Sequence, residues 1–223
     1  MLKGEDERLP QRGAALARFA VTLTAQPWSV TPELAPHGVG AEAIEAMAAV
    51  VAMFNYLTRV ADASGIEFDY ASPLPVFAPE RDRQPVTRPD RATWPEITGE
   101  FRTLRSFPAM SEAWRQWREY VFDSDEPITQ RERRLLAGAA AQESCDRWRA
   151  DELAGYSPRN DRESLLDAFA RKLSRRPWQM RPTDLQTLRD AGYPEPALLH
   201  VISAVALQNA ESRLALGRAL ITR

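Results

Sequence analysis

The sequence holds one cysteine, Cys145, and two histidines, His37 and His200. A lone thiol cannot close an internal disulfide, so the expected setting is a reducing one, the cytoplasm. Two histidines without a cysteine cluster leave too few soft ligands for a protein-only metal site, and no metal is expected. Glycine-rich phosphate loops, Gly-x-Ser-x-Gly, His-Glu-x-x-His and calcium-loop patterns are missing, so no cofactor is expected either. No apolar run approaches the roughly 18 residues that cross a bilayer. The first residues, MLKGEDERLPQRG, lack the apolar stretch of a secretory leader. Charge of one sign is also missing. The 29 Lys and Arg are interleaved with 31 Asp and Glu, as in RERR near DSDE, and no basic face emerges to hold nucleic acid. No segment alternates convincingly with a period of two, so the fold class is all-α.

What the sequence does contain is a repeat. FAVTLTAQPW (19–28) and FARKLSRRPW (169–178) share Phe, Ala, Leu, Pro and Trp at matching places: Phe19, Ala20, Leu23, Pro27 and Trp28 against Phe169, Ala170, Leu173, Pro177 and Trp178. After a short gap, residues 38–61 align with 192–215, where Gly38, Ala43, Asn55 and Arg59 match Gly192, Ala197, Asn209 and Arg213. Each copy reads as helix, short helix, long helix. Leu16, Phe19, Ala20 and Leu23, like Leu166, Phe169, Ala170 and Leu173, keep helical spacing. Pro27 and Pro177 end those helices, because proline lacks the amide and clashes with the preceding turn. Thr31-Pro32-Glu33 and Pro182-Thr183-Asp184 signal a short second helix. Gly38 and Gly192 stand where a left-handed cap is wanted. Long helices are then expected from about Ala41 to Ala63 and from about Glu195 to Leu220.

Between the copies, residues 67–93 are proline-rich and mixed in charge, and read as a connector lying across a surface. A short helix is expected near Ile97–Arg105, then an aromatic helix over 108–122. The acidic break Asp123–Pro127 precedes one long helix from about Ile128 to Leu153.

These residues resemble a known family. Phe-Ala-x-x-Leu-x-x-x-Pro-Trp followed by a long helix with Phe-Asn-Tyr-Leu-x-Arg-Val-Ala-Asp (54–62) is similar to the C-terminal part of peroxidase-related proteins of the alkylhydroperoxidase D-like, or carboxymuconolactone decarboxylase-like, family. Residues 106–148 resemble that family's helix pair leading to its cysteine helix. The resemblance implies an alkylhydroperoxidase D-like helical bundle with an internal repeat. Residues 94–221 look like a near-complete unit, and 10–66 like the back half of another, its front half lost or its start placed too late. It also implies a homo-oligomer joined through helical faces.

Peroxidase members are similar in carrying Cys-x-x-Cys, a following His and an upstream Glu. A thiolate attacks the peroxide, a second thiol resolves the sulfenic acid, and the other two groups move protons. Aligned on Cys145, the second cysteine position falls on Trp148, the histidine on Glu152 and the glutamate on Arg133, with Glu132 adjacent. The resemblance therefore implies thiol-dependent peroxide reduction at an eroded site, with Cys145 as nucleophile and an outside thiol reductant. Arg149, one turn on, is the cation expected to tune it; the favoured reading of the residue by itself is a small, buried, inert hydrophobe. The alternative is a non-catalytic helical scaffold, or a partner subunit of an active paralogue.

Asn55 with Arg59, and Asn209 with Arg213, sit at i, i+4 and share a helix face. They either line a cleft that takes an anion or carboxylate, or form a strut in which Asn caps a helix end and Arg pairs with a carboxylate. Trp28 and Trp178 are read as corner packing. Trp114, Trp117 and Tyr120 are read as core or interface, and His200 as a satisfied core or interface histidine.

Overall fold

The computed structural model describes residues 10–31, 34, 38–66, 84–97 and 103–219. Among them are eight α-helices and no strand. They are α1 (Gln11–Ala25), α2 (Ala41–Ser64), α3 (Pro108–Phe122), α4 (Gln130–Glu143), α5 (Arg147–Glu152), α6 (Asp161–Arg175), α7 (Pro182–Asp190) and α8 (Glu195–Arg218).

The two copies match element by element. α1 and α6 are both 15 residues long, and each is followed at the same distance by a single 3-10 turn, Pro27–Ser29 or Pro177–Gln179. α2 and α8 are both 24 residues long. Gly38 and Gly192 precede them with φ of 75° and 88°, the left-handed backbone that glycine adopts at least cost. The short helix expected from Thr31 in the first copy, and His37 with it, lie outside the described residues, as do residues 98–102 of the helix expected near Ile97. Residues 103–107 form only turns and bends.

α2 and α8 make the most extensive helix contact in the fold. Ala48 lies near Gly217 and Tyr56 bonds Ser203, so the two helices run antiparallel. The crossing is close. A Cβ on Gly217 would come within 2.8 Å of Leu23 Cδ2 and 3.0 Å of Ala48 Cβ. α8 is buried on nearly every side, as expected of the central helix of a bundle. α2 also carries few charges, and by length and composition it comes nearer to a bilayer span than the sequence reading allowed. Here it packs along α8, with Glu45 and Arg59 buried in it.

Glu45 fastens the ends of this pair. Its carboxylate accepts from the backbone amides of Arg105 (2.7 Å) and Ser106 (2.9 Å) and lies 2.7 Å from Arg218 Nε at the end of α8. Burial pushes its pKa up, but the bonds from Ser106 and Arg105 and the charge of Arg218 outweigh that and hold it below the ordinary value.

The expected single helix from Ile128 to Leu153 is corrected to two. α4 starts with a capping box in which Thr129 and Glu132 exchange bonds. It ends in a Schellman motif: Asp146 N–H donates to Ala141 O (3.0 Å) and Cys145 N–H to Gln142 O (3.2 Å). Cys145 takes the left-handed position with φ of 54°, a place usually held by glycine. Asp146 then caps α5 by accepting from the Arg149 amide.

Two outcomes follow from this packing. Gly217→Val should lower stability by about 2 kcal/mol through overpacking against Leu23 and Ala48, read as a lower midpoint in urea. Glu45→Gln leaves Arg218 buried beside a neutral amide and should cost about 3 kcal/mol. Because the folded pKa of Glu45 lies below its unfolded value, its contribution is complete above about pH 4.3 and is lost as pH falls through the folded value. The fall in Tm on acidification should therefore be shallower in Glu45→Gln than in the wild type.

Candidate functional site

The two Asn–Arg pairs meet where the units cross. Asn55 Nδ2 donates to Val51 O (2.8 Å) and to Thr24 Oγ1 (3.5 Å) at the end of α1; Asn209 Nδ2 donates to Val205 O (2.9 Å) and to Ser174 Oγ (2.7 Å) at the end of α6. Each arginine is anchored on its own asparagine, Arg59 Nη1 at 2.8 Å and Arg213 Nη1 at 3.2 Å from the amide oxygens. Each then crosses to the other copy. Arg59 Nη2 donates to Ser174 O (3.0 Å), and Arg213 Nη2 donates to Thr24 O (3.0 Å). Thr24 and Ser174 occupy the same place in the repeat, so the exchange is reciprocal.

These acceptors lie in the last turns of α1 and α6, where carbonyls lack intrahelical donors and the helix end carries partial negative charge. The strut expected from the sequence is present, with a backbone carbonyl in place of the carboxylate. Both guanidiniums are only 4% exposed, and among the described residues neither has a carboxylate within salt-bridge distance. Burial pushes Arg59 down to about 10, with Asp62 partly offsetting it. Burial also lowers Arg213 well below its ordinary value, and repulsion from Arg59 lowers it further.

Asn55, Arg59, Arg213, Thr24 and Ser174 line a cavity of about 270 Å3. Its apolar wall is Trp28, Pro85, Val86, Pro177 and Trp178, and its polar wall includes Arg88, Arg175 and Glu143. Arg59 Nε, Trp178 Nε1 and Glu143 Oε2 are buried and have no hydrogen-bond partner among the described residues. A larger hollow of about 490 Å3 beside Trp114 and Glu211 is bounded by Thr103 and Leu104, next to residues outside the described set.

Cys145 stands behind the first cavity's wall. It is 0% exposed and packs with Trp94, Ala141 and Ala150, with Trp28 against the cluster. Burial pushes its thiol up to about 12; Arg88 pulls it back and Glu143 adds to the rise. The cation near the thiol is thus Arg88, from the connector, and not Arg149. Arg149 instead pairs with Glu152 (2.6 Å) and Gln208 (3.2 Å). Arg88 also bonds Gln142 O (3.0 Å) and lies 3.3 Å from Glu143, while Trp94 is buried, so the described part of the connector does lie across the helices.

The other aligned positions are not assembled around the sulfur. Trp148, half-exposed, and Glu152 sit on α5. Arg133 is fully buried and donates to the carbonyls of Val121, Ser124, Glu126 and Ile128, closing the α3–α4 turn, with His200 Nδ1 at 3.0 Å. Burial, then Arg133, lowers the His200 pKa. Glu132 accepts from the Tyr193 hydroxyl at 2.7 Å. No group of three or more metal-ligating side chains occurs among the described residues. No family model, curated protein or solved structure matches this chain.

A thiol this deep and this basic should be inert. Iodoacetamide at about pH 8 should leave Cys145 unmodified in the native protein and label it fully in denaturant, as read by intact mass.

Proposed function

We propose that this protein is a non-catalytic helical assembly subunit, built from a duplicated alkylhydroperoxidase D-like module, that pairs with a second copy through α2. The observation that carries the reading is a difference between two equivalent helix faces. In α8, Ala204, Leu207, Gln208 and Glu211 are buried. α3 and α4 pack on α8, Arg149 of α5 reaches Gln208, and Arg118 of α3 pairs with Glu211 at 3.0 Å. The corresponding residues of α2 are Val50, Met53, Phe54 and Leu57, all exposed, with Phe54 at 61%.

A stripe of four large apolar side chains at helical spacing is an interaction surface by its chemistry. Being apolar throughout, it is self-complementary and suits a two-fold contact in which each copy covers the other. The neutral thiol supports the non-catalytic half of the reading. Reduction of a peroxide needs a thiolate, burial holds the Cys145 thiol in its neutral form, and the sequence has no second cysteine to resolve a sulfenic acid. The lone thiol is consistent with a reducing cytoplasmic setting.

Sedimentation velocity over a range of concentrations should show a dimer that dissociates in the Phe54→Glu/Leu57→Glu double variant. A wild type that stays monomeric at high concentration would remove the assembly role. Hydroperoxide consumption with excess dithiothreitol should be the same in the wild type and Cys145→Ser; turnover that depends on Cys145 would restore the catalytic reading.

A further inference from the structure

We propose that the cavity between the two repeat units is a binding site for a small organic monocarboxylate, with its carboxylate on Arg59 and Arg213 and its apolar body between Trp28 and Trp178. The inference goes beyond the assembly role and does not depend on it.

The charge balance of the cavity is the first argument. Among the described residues, four guanidiniums, those of Arg59, Arg88, Arg175 and Arg213, line it against one carboxylate, that of Glu143. Glu143 is already engaged by Arg88 at 3.3 Å and Arg171 at 3.2 Å. Arg175 is exposed to solvent. The two remaining arginines are nine-tenths buried, hydrogen-bond only carbonyl and amide oxygens among the described residues, and repel one another, with the charge of Asp62 offsetting the burial of Arg59 only in part. Buried cations in this state favour an anion that can be shared between them.

The second argument is unspent donors. Arg59 and Trp178 line the cavity, and Arg59 Nε and Trp178 Nε1, both closed to solvent in the empty cavity, have no hydrogen-bond partner among the described residues. A carboxylate has two oxygens and about four acceptor positions, and guanidinium N–H groups match it in plane. The third argument selects the class of anion. Glu143 keeps a buried, unpartnered oxygen in the same cavity, which disfavours a dianion such as phosphate. The opposite wall is indole, proline and valine, which suits an apolar body.

Benzoate is the probe. Calorimetric titration of the full chain should give saturable binding of benzoate and a rise in Tm, with no response to benzamide, which has the same shape without the charge. Arg59→Gln should weaken benzoate by at least about tenfold. Because that variant also alters the strut, Thr58→Trp provides a second route. Thr58 is exposed at the cavity's edge, and a bulky ring there should block benzoate while leaving the Tm of the free protein unchanged. Absence of saturable benzoate binding overturns the proposal, and so does an equal response to benzamide. Inorganic phosphate binding in preference to benzoate overturns it too, as does full benzoate affinity in Thr58→Trp.

Discussion

Two arginines, each held by an asparagine one turn earlier and each closing the end of a helix that belongs to the other copy, organise this fold. Arg59 and Arg213 sit deep in the α2–α8 crossing, where an unpaired charge is costly and a displaced one has nowhere to go. The nearby features follow from their placement. The ends of α1 and α6 are brought to the crossing point because their last carbonyls are the acceptors. Pro27 and Pro177 stop those helices where the arginines need bare carbonyls. The two tryptophans that follow then line one cavity together.

The thiol is governed by a different constraint. Cys145 lies at the end of α4 in the left-handed conformation that closes a Schellman motif, a position at which a side chain costs about 1 kcal/mol relative to glycine. Its sulfur is enclosed by Trp94, Ala141 and Ala150, and it lies near Arg88 without being exposed to anything that enters the cavity. Asp146, next along, is tied to Ser212 of α8 (2.8 Å), and Ser144, just before, donates to Asn209 (3.3 Å). The turn that holds the cysteine is thus bonded on both sides to the central helix, and the residues around the sulfur serve packing.

Much of the architecture was legible in the residues. Periodicity gave α1, α2, α6 and α8, and Pro108 with the aromatic spacing gave α3 to within a residue. Gly192 ended α7 as a left-handed cap should. The break between α4 and α5 was not read, because the residue in the left-handed position is cysteine, which carries no turn signal. Asp146, three residues before the Arg149 amide it caps, was the clue available. Arg88 as the charge beside the thiol could not be read, since it arrives from a connector distant in sequence. The four Asn and Arg residues were legible as a group from their matching places in the two segments, and the structure brings them to one crossing. The cross-partners of the arginines were hidden because they are main-chain oxygens, which leave no trace in side-chain identity.

That last point has a consequence for how the two halves can drift apart. A carbonyl acceptor survives any substitution at its own position: Thr24 in one copy is Ser174 in the other, and the bond to each main chain is indifferent to the change. What is tied to particular side chains is the arginine and asparagine donors and the hydroxyl that each asparagine meets, which Thr and Ser both supply. Two helical segments fastened this way can change much of their sequence while staying in register, provided two arginines, two asparagines and two hydroxyls remain.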